Sequence, residues 1–395
     1  MAALSACGDW VVSTCDSKLI AVHTEQAGEP FVFDCSAAEK KPKDTESDSK
    51  GDDGGAEETG SDQILAVAVS SSGRLVALTD DSKRIVLFHC GSPWQCISTR
   101  WAVRRCSSLV FSQAEDQVLV ADKSGDVYSF SVGEPQRAGE LRLGHLSMLL
   151  ALTTSPDNRF VISADRDEKI RVSHLKSPHN IQAFCLGHRE FVSCLLIPAA
   201  HPDWLLSGSG DGTVILWQYE SGRELQRWDI RDLREAPSIT QEEQEKRSAI
   251  SRITSSPDGR HVAVQCERAP TVYTHTQDGW QCDAETAALN PVTEAIKPYW
   301  ETRQPLAAVE SHYQHLYKVN FGNMDSYMEK KRLRLEQQKK KSNNINNNNK
   351  KKKRRRSAGR TSETKEDRGE DRGEDRGEDR GEDRGEDRGE PQPSR

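Results

Sequence analysis

Two histidine–aspartate spacings are the first candidates for chemistry. His145, in Gly144-His145, precedes Asp167 by 22 residues, and His188, in Gly187-His188, precedes Asp211 by 23. A single pair of this kind suits general acid–base catalysis, with the carboxylate orienting the imidazole. Recurrence at one period points elsewhere. A repeated unit repeats its internal hydrogen bonds, so His145, His188 and Asp211 are expected to be structural, with Trp217 closing the same unit. The second candidate is the charged run Ala164-Asp-Arg-Asp-Glu-Lys-Ile-Arg-Val-Ser173. Aligned on Leu206–Trp217, it places Arg166 for Gly210, Asp167 for Asp211, Lys169 for Thr213 and Arg171 for Ile215. A guanidinium at a position meant to be apolar needs a carboxylate, because burying it unpaired is costly. That carboxylate is either internal (Asp165, Asp167 or Glu168) or an acidic residue of a partner, which a bidentate guanidinium suits.

Other cations fall in or between the repeat units: Lys83-Arg84, Arg104-Arg105 and Lys123. Taken singly they read as solvated charges. Together they would line one rim and meet a phosphate backbone, so Lys83, Arg84 and Lys123 are candidate RNA contacts. Trp228-Asp-Ile-Arg231 resembles the box by which some propellers act as substrate receptors of cullin-type ubiquitin ligases. Here it is displaced from the end of the third strand, where that box belongs. The chain has no GxGxxG, Walker loop, HExxH or GxSxG motif, so nothing outside the repeats offers a catalytic nucleophile or cofactor cradle.

The elements that must position these residues are strands. Leu206-Ser-Gly-Ser-Gly-Asp-Gly-Thr-Val-Ile-Leu-Trp217 reads as strand, tight turn and strand. Similar units lie at Ile64–Phe88, Cys106–Phe130, Met148–Ser173 and Ile250–Tyr273, and a weaker one precedes them around Trp10, Leu19 and Pro30. Up to the last, they start about 42–44 residues apart, the period of four-stranded propeller blades. The fold class is therefore an all-β, WD-repeat β-propeller over residues 1–322, with six blades countable. Residues 38–62 are polar and acidic and read as a disordered insertion. Residues 280–320 show few strand signals, and a ring one blade short should leave a strand edge exposed.

Beyond the propeller the composition changes. Residues 323–341 read as a basic helix, in which Lys330 and Lys331 are further candidate RNA contacts. Residues 342–395 read as a disordered tail holding the basic run Lys350–Arg356 and six EDRG repeats. Residues 329–360 carry 15 Lys/Arg against two Glu, although the whole chain has a net charge of -7. A basic block on an acidic protein suggests nuclear import or a polyanion contact, and the nucleus is the expected location. The ten cysteines are scattered without a CxxC pair and read as small buried residues in a reducing compartment. No apolar run approaches a bilayer-spanning length, so no membrane partner is expected.

In detail the chain resembles the WD-repeat, non-catalytic subunit of the eukaryotic tRNA (guanine-N7) methyltransferase. The resemblance rests on Asp34-Cys-Ser-Ala-Ala-Glu-Lys-Lys41, Leu78–Ile85, Pro93-Trp-Gln-Cys96, Val120–Phe130, Leu143–Leu149, the run Ala164–Ser173 and Leu316–Asn323. It covers roughly residues 5–340. It implies a seven-bladed ring and a non-enzymatic chain. It also implies a heterodimer with a separate catalytic subunit that binds S-adenosylmethionine and methylates a guanosine in the tRNA variable loop. No cofactor is expected in this chain. The resemblance turns the charged run toward that subunit, making Arg171 and Lys169, with Arg166 and Asp167 beside them, the partner-interface residues. About one blade's worth of sequence is missing between Arg252 and Tyr313, so either 235–320 builds a compressed seventh blade or this is a shortened form.

Overall fold

Apolar runs such as Val76-Ala-Leu78 and Ile85-Val-Leu-Phe88 are short and bounded by polar turns, which favours strands covered on both faces. A computed structural model describes residues 4–26, 28–41, 60–233, 249–256, 258–267, 272–276, 279–283, 313–318 and 331–332. It divides into two units, 1–319 and 320–395; of the second, only Lys331 and Arg332 are described, and they are helical and exposed.

The first unit holds six four-stranded antiparallel sheets, each built from four consecutive strands. Blade 1 is β1 Leu4–Cys7, β2 Trp10–Cys15, β3 Lys18–His23 and β4 Phe31–Asp34. Blade 2 is β5 Ile64–Val69, β6 Leu75–Asp80, β7 Arg84–His89 and β8 Gln95–Trp101. Blade 3 is β9 Cys106–Phe111, β10 Gln117–Asp122, β11 Asp126–Ser131 and β12 Glu140–Gly144. Blade 4 is β13 Leu149–Thr154, β14 Phe160–Asp165, β15 Lys169–His174 and β16 Ile181–Leu186. Blade 5 is β17 Val192–Leu196, β18 Trp204–Ser209, β19 Thr213–Gln218 and β20 Arg223–Asp229. Blade 6 is β21 Ile250–Ser255, β22 Val262–Cys266, β23 Val272–Thr276 and β24 Gly279–Asp283. The first strands of successive blades are neighbours, which gives the six-bladed propeller arrangement.

The core lies between blades. Val12, Leu19 and Ala21 pack on Val76, Leu78 and Phe88. Leu75, Ala77, Ile85 and Leu87 pack on Val118, Val120 and Phe130. Leu119, Val127 and Leu143 meet Leu149 and Val161. Phe160, Ile162 and Val172 meet Leu205, Ile215 and Trp217. Leu206 and Val214 meet Ile250, Val264 and Tyr273. Each buried Val, Leu, Ile or Phe contributes about 1.5–3 kcal/mol, so the apolar faces of the second and third strands hold the ring. The junction of blade 6 with blade 1 is different. Among the described residues it shows no buried apolar cluster, but Arg252 Nη2 donates to Ser5 Oγ at 3.1 Å.

The repeat period implied four-stranded blades, and each sheet has four strands, although only three of them stood out in each unit. Blade 5 shows why: five of the seven residues of β20 are exposed, so that strand needs little apolar sequence. The resemblance implied seven blades, whereas the described residues build six. Most of 235–320, and residues 42–59 of the acidic insertion, lie outside the described residues. No helix among the described residues is long and apolar enough to cross a membrane. Cys7, Cys15, Cys35, Cys106, Cys185 and Cys266 are buried thiols. Burial pushes the thiols of Cys35, Cys106 and Cys185 up to about 12.

Candidate functional site

Antiparallel order fixes which residues can meet. The turn between second and third strands and the link from each fourth strand to the next blade lie at one end of every sheet. Lys83, Lys123, Arg166–Glu168 and Asp211 occupy such turns, with Lys169 opening β15, and Arg104-Arg105, His145 and Gly187-His188 occupy such links, with Gly144 closing β12. The singled-out histidines and turn charges of blades 2 to 5 therefore share one end of the ring.

The turns are built alike. The last residue of the second strand is Asp80, Asp122, Asp165 or Ser209, and all four are buried. Three residues later the backbone turns left-handed, at Lys83 (φ 66), Gly125 (φ 99), Glu168 (φ 71) and Gly212 (φ 77). Such φ values suit glycine, and Lys83 and Glu168 accept them at some cost. The aspartates repay that locally by accepting the backbone N–H four residues on, at 2.9 Å for Arg84, 3.0 Å for Asp126 and 3.0 Å for Lys169.

In blade 5, His188 Nδ1 lies 3.3 Å from Asp211 Oδ2, and Nε2 lies 2.7 Å from Ser207 Oγ, which also accepts from Trp217 Nε1 at 2.8 Å. Burial opposes ionisation of Asp211, yet His188, Thr213 and the Arg189 N–H together hold its carboxyl far below the usual range. This closed network leaves His188 no substrate to serve. Blade 4 corrects the expected pairing. His145 Nδ1 lies 3.0 Å from Asp165 Oδ2, not from Asp167, and Nε2 lies 2.7 Å from Ser163 Oγ. Asp165 occupies the buried turn position shared with Asp80 and Asp122, which leaves Asp167 exposed. The recurring Leu-Thr-Asp80, Val-Ala-Asp122 and Ser-Ala-Asp165 endings carried that signal in the sequence.

Arg171 forms an ion pair with none of the three carboxylates expected within the chain. It is half-buried on β15, opposite Phe184, and Nη1 donates to the Gly144 carbonyl of blade 3 at 2.9 Å. No carboxylate pairs with it among the described residues, and its buried Nε has no acceptor. Burial pulls its pKa below the usual guanidinium value, against the pull of Asp165. Leu146, two residues beyond that Gly144 carbonyl, is fully exposed, and Phe184, the cross-strand neighbour of Arg171, is exposed as well. Lys169 is exposed and donates to the Asp167 carbonyl at 3.3 Å. Arg166 is engaged within the chain: its Nε donates to the Leu316 carbonyl at 3.1 Å. Lys318 forms an ion pair with Glu168. A cleft of ≈ 420 Å³ opens between this turn, Gly187-His188 and Lys318.

The candidate RNA contacts divide. Lys83 and Lys123 are exposed on the shared end. Arg84 is not available to a phosphate, being 1% exposed. Its Nη1 donates to the Cys35 carbonyl at 2.6 Å and lies 3.1 Å from Asp80 Oδ2, while Nη2 is 3.1 Å from Asp62. The alternation along β7 points this side chain inward, toward blade 1. Arg105 Nε donates to the Asp81 carbonyl at 3.2 Å. Lys331 is exposed and Lys330 lies outside the described residues. Trp228-Asp-Ile-Arg231 falls at the end of a fourth strand, and Arg231 turns back on Asp229 at 2.8 and 2.5 Å, so the ligase-receptor reading gains no support.

Comparison with known proteins places this geometry. The tRNA methyltransferase TRM82 WD40 domain family matches residues 10–140 and 133–293. The chain is 51% identical to the tRNA (guanine-N(7)-)-methyltransferase non-catalytic subunit wdr4 of Danio rerio, over 85% of this chain and 92% of that protein. It is 41% identical to the WDR4 protein of the same description from Mus musculus, over 84% of this chain and 90% of that protein. With its Homo sapiens counterpart it shares 39% identity over 83% of this chain and 89% of that protein. Matched along most of its propeller by both comparisons, the chain belongs to the TRM82 WD40 domain family.

Proposed function

We propose that this chain is the non-catalytic subunit of a tRNA (guanine-N7) methyltransferase. It holds a separate catalytic subunit in a heterodimer and transfers no methyl group itself. The observation that carries the reading is 39–51% identity, over more than four fifths of the chain, to proteins that bear that description. The partner would bring S-adenosylmethionine and the methylation chemistry that forms N7-methylguanosine in the tRNA variable loop. This chain would stabilise the competent form of the partner, by no more than its differential affinity for the two forms.

The partner's face is assigned to the charged end of blade 4. Arg171 offers a half-desolvated guanidinium with an idle N–H, Lys169 and Asp167 stand exposed beside it, and Leu146 and Phe184 supply apolar area. A carboxylate of the partner would complete Arg171, and such contacts are worth most when desolvated. Lys83 and Lys123, on the same end, suit tRNA phosphates, with Lys330 and Lys331 as further candidates. The basic run Lys350–Arg356 supports nuclear import.

The test has two arms. In cells lacking the propeller subunit, this chain should restore tRNA N7-methylguanosine. Stable protein without restoration would refute the function. Arg171→Glu should weaken the complex by about 2–5 kcal/mol, at least ~30-fold in Kd, by setting like charges together. A normal complex in that variant would remove Arg171 from the interface.

A further inference from the structure

Residues Tyr313–Lys318 return across the end of the ring that carries the charged turn. Tyr313 and Leu316 are 6% and 3% exposed, in a cluster with Phe191 and Ala249 that Met148, Leu150 and Tyr317 flank. Met148 leads into β13 and Leu150 lies on it; Phe191 and Ala249 precede β17 and β21. The segment thus spans the first-strand starts of blades 4, 5 and 6. Polar contacts then fix it to two turns. Tyr317 Oη donates to the Gly210 carbonyl at 3.2 Å in blade 5. Arg166 Nε, in blade 4, donates to the Leu316 carbonyl at 3.1 Å, and Lys318 pairs with Glu168. The Tyr313 N–H reaches Glu267 Oε1 of blade 6 at 3.4 Å.

Of the two turns so held, that of blade 4 has the greater need of it. Blade 5 places Gly212 at the left-handed position; blade 4 places Glu168 there, in a conformation that non-glycine residues resist. Gly210 of blade 5 corresponds to Arg166, whose side chain is drawn to the C-terminal segment. The exposed Asp167 and Lys169 flank Glu168, so the geometry of the candidate partner face depends on the same few bonds.

We infer that Tyr313–Lys318 is a positioning element for the partner-binding face, and that Arg166 acts through the Leu316 carbonyl instead of touching the partner. The inference rests on the function proposed above. It reassigns Arg166 from contact residue to positioning residue. The charge of Arg166 is then incidental, because a carbonyl acceptor requires only an N–H.

That distinction can be measured. Glutamine carries its amide nitrogen the same number of bonds from Cα as arginine carries Nε. Arg166→Gln therefore keeps the donor and removes the charge, whereas Arg166→Ala removes both. With the co-purified catalytic subunit, Arg166→Ala should raise the Kd about 5- to 10-fold, and Arg166→Gln should stay within about twofold of wild type. Thermal unfolding of each free variant controls for loss of the fold. On the free chain, amide hydrogen exchange at 166–169 should quicken severalfold in Arg166→Ala and in Tyr317→Phe, and not in Arg166→Gln. Equal losses of affinity in the two Arg166 variants would mean that the charge meets the partner, and would overturn the inference. Unchanged exchange in Arg166→Ala would overturn it as well. Failure of the wild-type chain to bind the catalytic subunit would instead strike the proposed function, with the exchange result still deciding whether the segment holds the turn.

Discussion

Replacing Arg84 with methionine separates a structural cation from a nucleic-acid contact. Asp80 is 0% exposed and Arg84 1%, and their 3.1 Å approach is supplemented by Asp62 and the Cys35 carbonyl. Removing one member of a buried pair costs about 3–5 kcal/mol, because the other charge is stranded. Arg84→Met should therefore lower stability by roughly that amount at pH 7, read as a shift in urea midpoint with the slope unchanged. Asp80 adds a pH signature. Burial pushes its carboxyl above the usual range even with Arg84 beside it. Without Arg84 it is driven higher, so the folded variant takes up a proton more readily than the unfolded chain. The deficit should then shrink as the pH falls from 7 toward 5. Adding Asp80→Asn should recover about 1–3 kcal/mol, since the fully buried charge is then no longer stranded. A single-variant loss below about 1 kcal/mol, or a deficit independent of pH, would refute the reasoning. So would a selective loss of tRNA binding in a fully stable Arg84→Met protein.

Two further outcomes follow from the same end of the ring. The depressed carboxyl of Asp211 contributes stability above the ordinary unfolded value near 3.9, which is lost as the pH falls through its lower folded pKa. Asp211→Asn should cost about 1.5–3 kcal/mol at pH 7 and converge on wild type in acid; a constant difference between pH 7 and 3 would contradict the network drawn around His188. Charge reversal at the exposed Lys83 and Lys123 should leave stability within about 0.5 kcal/mol and reduce the salt dependence of tRNA binding to the complex. An unchanged salt slope in Lys83→Glu/Lys123→Glu would remove both from the RNA surface.

The propeller was legible because its signal is local and repeated. Apolar second and third strands with polar turns recur at one period, and Trp217 with Gly187-His188 marks the unit. The fourth strand of blade 5 was less legible, since most of β20 faces solvent and needs little apolar sequence. β1 was missed for a similar reason: Leu4 and Ser5 sit at the junction with blade 6, where no apolar cluster demands a strong pattern among the described residues. Spacing alone chose the wrong partner for His145. Asp165 and Asp167 are two residues apart, and only the turn decides which one faces the imidazole.

Residue types along the chain determined that Arg171 is out of place in an apolar strand, that His188 and Asp211 recur as a unit, and that the chain beyond residue 322 is charged and polar. Those are statements about neighbours in sequence and about what each side chain costs to bury. The tertiary structure decided which cations are free. Lys83 and Arg84 are adjacent in sequence, yet one is exposed and the other is enclosed by Asp80, Asp62 and the Cys35 carbonyl. Likewise Arg166 and Lys169 are three residues apart, yet a segment 150 residues away engages the first while the second stays exposed. Exposure is a property of what distant chain covers a residue, so it arises when the blades and the returning segment assemble.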